Sequence, residues 1–287
     1  MPPSHPSPND KDEIAKLWQD IFHDSDEYTD LFFNRVYKPE NTLVIKHNEC
    51  IVSALQMIPY PVKLNDTIIQ AAYLCGLYTH PLERGKGLMK TLMRYAMAEM
   101  KRRGYGLAIV IPAEPSLFIY YRNLGFTSPI NHAIVFQSYG IYNNVWNRNA
   151  PFTFEPCSNE HFPYFDRKQR EREKTILHDE YDFETILREL KSDGGEAFAA
   201  IDNNRPAGMA FAIKSSQNTV LFKEIFADNE KIHEALLRHA CRLFDANNVK
   251  IILPATPEKE TTPYGLACII DNQCDSLNNI YMSLMLD

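Results

Sequence analysis

The sequence predicts an α/β (α+β) chain built from two similar units, an expectation resting on three features. Residues 42–78 read as a meander of β-hairpins. An apolar strand then meets a glycine-bearing turn and a long amphipathic helix, and the order helix then apolar strand returns about 142 residues further on. With 287 residues, 45% of them hydrophobic and 23% charged, the chain has enough apolar side chains for two cores. Residues 1–148 and 149–287 are the expected domains.

In the first half, Ile14, Leu17, Trp18 and Ile21 recur at spacings of three and four, which predicts a helix over Asp12–Phe22. A second helix is expected over Tyr28–Tyr37. Thr42–Lys46, Ile51–Met57 and Ile68–Tyr78 read as strands, with Asn48 and the Asn65-Asp66 pair as the turns between them. Over Gly87–Arg102, Leu88, Met89, Leu92, Met93, Ala96, Met97 and Met100 form the wide stripe of a helix packed on a core, and Gly104 closes it. Leu107–Ile111 is a short apolar strand, Pro115–Leu124 a helix, and Thr127–Ser138 the last strands of the unit.

The second half repeats this layout. Asp166–Lys174 is a solvated helix face whose acids balance its bases. Tyr181–Leu190 is helical, Ala197–Asp202 and Ala207–Lys214 form a hairpin around Asn203-Asn204, and Thr219–Phe226 is the next strand. The helix Glu230–Ala246 and the strand Val249–Leu253 follow.

The formal net charge of −7 argues against a nucleic-acid backbone as the main ligand and suits attraction of cationic small molecules. No run approaches about 18 uncharged apolar residues. The N-terminus has neither the apolar run of a signal peptide nor a lipidation pattern, so a cytoplasmic location without a membrane partner is expected. Cys50, Cys75, Cys157, Cys241, Cys268 and Cys274 form no C-x-x-C pair and sit mostly among apolar neighbours, as buried free thiols do. No histidine pair has metal-ligand spacing on an expected helix, and no metal is expected.

The turn Thr79–Met89 is the feature most suggestive of chemistry. A helix start leaves its first amide N–H groups unpaired and carries partial positive charge, so small residues there let backbone donors close on a pyrophosphate. Gly85 and Gly87 remove side chains that would block approach, while Arg84 and Lys86 add charge.

Residues 73–126 resemble the acetyl-CoA core of the GCN5-related N-acetyltransferases (GNAT), whose phosphate pattern is Arg or Gln, two residues, Gly, one residue, then Gly or Ala. Arg84 and Gly87 match, and Met89 stands where the last small residue is usual. That substitution, and the tandem layout, resemble the enhanced-intracellular-survival acetyltransferases. The resemblance implies a mixed, mainly antiparallel twisted sheet flanked by helices in each unit, and acetyl-CoA as acyl donor. The pantetheine arm would pair with Leu77 and Thr79, and the backbone near Leu77 and Tyr78 would polarise the thioester carbonyl. Arg84, Gly85, Lys86, Gly87, Leu88 and Met89 would hold the pyrophosphate. The family's Tyr, three residues, Gly, Phe motif matches Tyr121 to Gly125 and Phe126, making Tyr121 the expected general acid for the CoA thiolate. A plain hydrogen-bonding role for Tyr121 is the alternative.

The general base has no obvious candidate. Many relatives carry a carboxylate on the fourth strand, where this chain has Leu74, Cys75 and Gly76. Cys75 reads as a small core residue rather than a nucleophile. Glu114, ahead of the Pro115 helix, is a candidate base or helix cap. Asp24, Asp26, Glu27 and Asp30 in the first interhelical loop offer an acidic rim for a small cationic amine or a peptide lysine, although Ser25 and Asp26 serve equally as a helix cap. In the resembling subgroup a third, sterol-carrier-like domain delivers a terminal carboxylate. There is no room for it before Asp287, so whether this terminus reaches the cleft stays open.

Where the first unit has Glu83 to Met89, the second has Phe226 to Leu236, with Asp228 and Glu230 where phosphate would sit and no glycine. Pro254–Pro263 replaces its tyrosine helix. The second unit is expected to be a silent duplicate that packs on the first and walls its acceptor site. The whole chain reads as an N-acetyltransferase transferring acetyl directly to a primary amine, with homo-oligomerisation left open. A non-catalytic acyl-CoA sensor and a tandem aminoacyltransferase using charged tRNA are the alternatives.

Overall fold

The computed structural model describes residues 2–139, 152–271, 277 and 280–285. In chain order they form α1 (Lys11–Phe22), α2 (Asp26–Leu31), β1 (Thr42–His47), β2 (Cys50–Leu64), β3 (Thr67–Thr79), α3 (Leu88–Arg102), β4 (Leu107–Val110), α4 (Pro115–Arg122) and β5 (Ser128–Ser138). Then follow β6 (Phe152–Pro156), α5 (Phe162–Arg170), β7 (Lys174–Ile176), α6 (Glu180–Ser192), β8 (Glu196–Asp202), β9 (Arg205–Ser216), β10 (Thr219–Ala227), α7 (Glu230–Leu243), β11 (Asn248–Pro254) and β12 (Thr261–Ile269). The class is the expected one, mainly antiparallel open sheet flanked by helices.

Local signals place most elements. Asn48, Asn65, Asn203 and Asn204 all take positive φ at their hairpin turns, a conformation that asparagine tolerates well. Helix α2 ends at Leu31, and one π-helical turn, Phe32–Val36, completes the expected second helix. Strand β2 runs on to Leu64, past the expected end, through Pro59 and Pro61. Both prolines lie beyond the stretch of β2 that pairs with β1. Pro61 stands opposite Gln70, whose carbonyl accepts from Gly106 on the far side of β3, so the N–H that Pro61 lacks is not needed in the β2–β3 ladder.

The chain forms two compact units, and neither is continuous in sequence. The first comprises Met1–Ile130 and Pro263–Asn278, the second Asn131–Thr262 and Asn279–Leu286. The boundary expected near residue 148 differs from this division because two strands change places. Strand β5, expected to finish the first unit, pairs antiparallel with β11 from Ser138↔Asn248 to His132↔Pro254. Strand β12, which the sequence did not announce, pairs antiparallel with β4 from Ile269↔Leu107 to Leu266↔Val110.

The first unit therefore has the strand order β1-β2-β3-β4-β12, with only β3 and β4 parallel. On one face, α3 inserts Leu92, Met93, Ala96 and Met100 against Leu43, Leu55, Met57, Leu74, Val110 and Leu266, as its apolar stripe requires. On the other face, α1 packs Trp18 among Phe22, Phe32 and Phe33.

The second unit has the order β5-β11-β10-β9-β8-β6, with β10 and β11 parallel. Helix α7 packs Ile232, Leu236, Leu237 and Ala240 on Phe222, Val249 and Ile251. The C-terminal segment 280–285 is anchored in this unit by hydrogen bonds. His132 Nε2 lies 2.7 Å from the Met282 carbonyl and His178 Nε2 2.9 Å from that of Ser283, each imidazole acting as donor. Glu224, buried, takes a bidentate pair from Arg172 at 2.8 and 2.7 Å and a bond from Ser283 Oγ at 2.6 Å. The Arg172 guanidinium lies over the rings of Phe226 and Tyr281.

Candidate active site

Parallel pairing of β3 with β4 covers four residues, Ala71–Leu74 against Leu107–Val110, and then stops. Strand β3 continues to Thr79, so Cys75–Thr79 run on without β4 beside them while β2 still pairs on their other side. His80 donates its N–H to Val52 at 2.8 Å. Because backbone polar groups alternate along a strand, those of Tyr78 face β2 and those of Leu77 and Thr79 face the gap. That free edge has the donors and acceptors that an extended amide-bearing chain needs.

A bulge sits in the middle of the edge. Gln56 pairs with Cys75 and Ala54 with Tyr78, so Gly76 and Leu77 together oppose Leu55. Gly76 has φ +55°, and a Cβ there would lie 2.0 Å from Cζ3 of Trp18. Only glycine meets both conditions.

Beyond Thr79 the chain enters the turn. Arg84 donates from Nε to the Thr79 carbonyl at 3.1 Å. Gly85 and Gly87 take φ +79° and +76°, and a Cβ at either would meet no atom within 4 Å, so the space in front of the turn is open. Gly87 is the N-cap of α3, whose first intrahelical bond runs from Thr91 N–H to the Gly87 carbonyl. The N–H groups of Leu88, Met89 and Lys90 precede it and have no intrahelical acceptor. Lys86 reaches back to Glu83 at 2.8 Å, and that hydrogen bond, with a second from His47, holds the Glu83 carboxyl below its ordinary range. The residues present thus fit a diphosphate: two left-handed glycines, unpaired amides and two cations.

Tyr121 lies on α4 among core residues, its ring against Tyr120 and Phe126 at 5.3 and 6.1 Å. Its hydroxyl makes no hydrogen bond among the described residues. Burial, with a smaller contribution from Tyr120, pushes its pKa up to about 12. The Tyr121 carbonyl accepts from Leu124 and Phe126, and Gly125 at φ +99° lets the chain turn so that Phe126 enters the core. The tyrosine, glycine and phenylalanine spacing is therefore also a helix-end device.

The acidic candidates are distributed differently. Asp24 accepts from the Trp18 indole at 2.7 Å. Asp26 accepts from the Gln19 amide, and Ser25 caps α2 by accepting from Tyr28 N–H. Glu27 and Asp30 are exposed. Glu114 is the N-cap residue of α4 without a side-chain capping bond, exposed, with Ser116 Oγ 3.4 Å from its carboxylate. Cys75 is buried. Asp287, whose carboxylate is the terminal one, lies outside the described residues.

In the second unit, β10 pairs with β11 over Thr219–Phe222, again four residues. Just past that point Ser283 bonds Glu224 of β10, and Tyr281 Oη donates to the carbonyl of Ile252 in β11 at 3.3 Å. The C-terminal segment thus touches both strands where they part. At the start of α7, Asn229 caps Ile232 N–H, and Asp228 accepts from Tyr164 with Arg167 and Lys168 within 3.5 Å. One of the first N–H groups of this helix is thus capped by the protein itself.

A family model described as an acetyltransferase (GNAT) domain matches residues 4–128. That match covers somewhat less than half of the chain. The solved structures similar to the chain include a conserved protein of Enterococcus faecalis V583 described as a probable N-acyltransferase. It is 14% identical with a TM-score of 0.74 and covers 93% of this chain and 72% of that one. A GCN5-related N-acetyltransferase of Anabaena variabilis ATCC 29413 is 13% identical, with a TM-score of 0.73 and coverages of 94% and 72%. Eis1 of Mycobacterium abscessus is 10% identical, with a TM-score of 0.68 and coverages of 94% and 74%. At such identities the likeness is one of fold. No curated protein matches the sequence. Within residues 4–128 the glycine turn is legible in the sequence and the Gly76 bulge is not. The signal was a glycine inside an apolar strand, which marks a bulge or a close approach.

Proposed function

We propose that the chain is an acetyl-CoA-dependent N-acetyltransferase that transfers acetyl directly to a primary amine of a small cationic molecule or a peptide lysine. One observation carries this: the free edge Cys75–Thr79 runs straight into a turn whose two glycines hold left-handed backbone in front of open space. When bound, acetyl-CoA supplies the acyl group and a thiolate leaving group. Gly85 to Met89 would hold its diphosphate by backbone amides, with Arg84 and Lys86 adding charge. Leu77 and Thr79 would orient its amide-bearing arm, and the Leu77 N–H would donate to the carbonyl oxygen as negative charge develops there. Tyr121, kept neutral by burial, holds a proton on Oη for the departing sulfur. The amine gives its own proton to water, since β3 offers no carboxylate at Leu74, Cys75 or Gly76.

A screen of primary amines for free-thiol release from acetyl-CoA tests this reading. Amine-dependent CoA release is the expected result. Acetyl-CoA binding without turnover on any amine would make the chain a sensor, and consumption of aminoacyl-tRNA would point to the tandem aminoacyltransferase.

A further inference from the structure

We propose that Trp18 and Asp24 are positioning residues, which fix the Gly76–Leu77 bulge and so aim the Leu77 N–H. The inference rests on the acyl-transfer reading above. Trp18 is almost fully buried, and the six-membered edge of its indole occupies the place of a Gly76 side chain, with Cζ3, Cε3 and Cη2 all within 2.8 Å of a Cβ built there. The bulge therefore cannot shift toward α1 without displacing the ring. The ring is held in turn. Phe22, Phe32 and Phe33 surround it at centroid distances of 5.0, 4.5 and 5.7 Å. Its remaining freedom is removed by the bond from Nε1 to Asp24 Oδ2 at 2.7 Å, a charge-assisted length.

The other side of the bulge is tied to the same helix. Tyr78 donates from its hydroxyl to the Ile14 carbonyl at 3.3 Å and packs on Phe22 at 6.2 Å. Helix α1 thus grips the residue before Leu77 through Trp18 and the residue after it through Tyr78. A donor aimed at a developing oxyanion works only at hydrogen-bond distance, and an error of about 1 Å can cost on the order of a hundredfold in rate. Asp24 then acts through Trp18 and not on the amine.

Asparagine can accept the indole N–H through its amide oxygen whereas alanine cannot, so the two substitutions separate the roles. Asp24→Asn is expected to keep nearly wild-type kcat, while Asp24→Ala lowers kcat on the order of tenfold or more. Both should leave the amine KM and the acetyl-CoA Kd unchanged. Equal rises in amine KM for Asn and Ala would make Asp24 a substrate-binding anion and overturn the proposal. A readout independent of turnover is the amide NMR signal of Leu77 together with the indole N–H of Trp18. Asp24→Ala and Trp18→Phe should both displace the Leu77 signal, and Asp24→Asn should leave it in place. An unmoved Leu77 signal in folded Asp24→Ala or Trp18→Phe overturns the positioning role. Absence of turnover in the wild-type chain would count against the acetyltransferase reading alone.

Discussion

Arg84 donates from Nε to the carbonyl oxygen of Thr79, so the side chain of the turn is fastened to the last residue of the strand that precedes it. The guanidinium is held at the end of β3 before any ligand arrives. Its other nitrogens make no hydrogen bond among the described residues and can take a phosphate in a fork geometry. Arg84→Lys, which keeps the charge and loses the fork, should weaken acetyl-CoA binding, and Arg84→Ala should weaken it further. Calorimetry measures both, and unchanged Kd in Arg84→Ala would remove the residue from the site.

Gly87→Glu should abolish acetyl-CoA binding, because it puts a side chain on left-handed backbone and an anion where phosphate charge would lie. Wild-type titration should give one site per chain, since the corresponding helix end of the second unit is capped by Asn229 and neutralises Asp228 internally. A stoichiometry of two would contradict this.

Tyr121→Phe should lower kcat by roughly a hundredfold to ten-thousandfold with little change in acetyl-CoA affinity. Burial raises the hydroxyl pKa from 10 to about 12, which keeps it protonated far into the alkaline range. The pH–rate profile should therefore show no loss attributable to Tyr121 until near pH 12. The same shift stabilises the fold below pH 10 and loses that contribution as pH rises from 10 to about 12.

Acid should act on the second unit through His132 and His178. Burial holds both near pKa 4 in place of 6.5. The unfolded chain takes up these protons from about pH 6.5 downward and the folded chain resists until about pH 4, so stability falls across that window. Thermal unfolding from pH 7.5 to 4.5 should show a falling Tm, and His178→Asn should flatten the slope while lowering Tm at pH 7.5.

Leu266→Ala should destabilise the first unit by about 2–5 kcal/mol, as buried leucines do, because Leu266 is 1% exposed in the core that α3 covers. Residues 1–149 alone lack β12 and leave that edge of β4 bare, so they should be poorly soluble. A soluble, cooperatively folded 1–149 fragment would contradict this.

Features set by neighbours in sequence were legible: the asparagine turns, the stripe of α3, the glycine turn and the tyrosine motif all use local spacing. Features set by distant partners were not. Strand β12 carries Pro263 and Gly265, which break its alternation, and it is defined by pairing with Leu107–Val110, far back in the chain. Gly76 reads as a mere absence of a carboxylate until Trp18 is placed on it. Asp24 reads as part of an acidic rim until its bond to the indole is known.

The exchange of β5 and β12 also has a meaning for biosynthesis. A ribosome delivers residues 1–130 well before β12, Thr261–Ile269, which is the partner of β4. Until then the first unit holds an incomplete sheet and an uncovered part of its core, and β5 waits for β11. The order of synthesis thus leaves that edge of β4 bare until Thr261–Ile269 has been made, and a bare strand edge is the kind that chaperones shield.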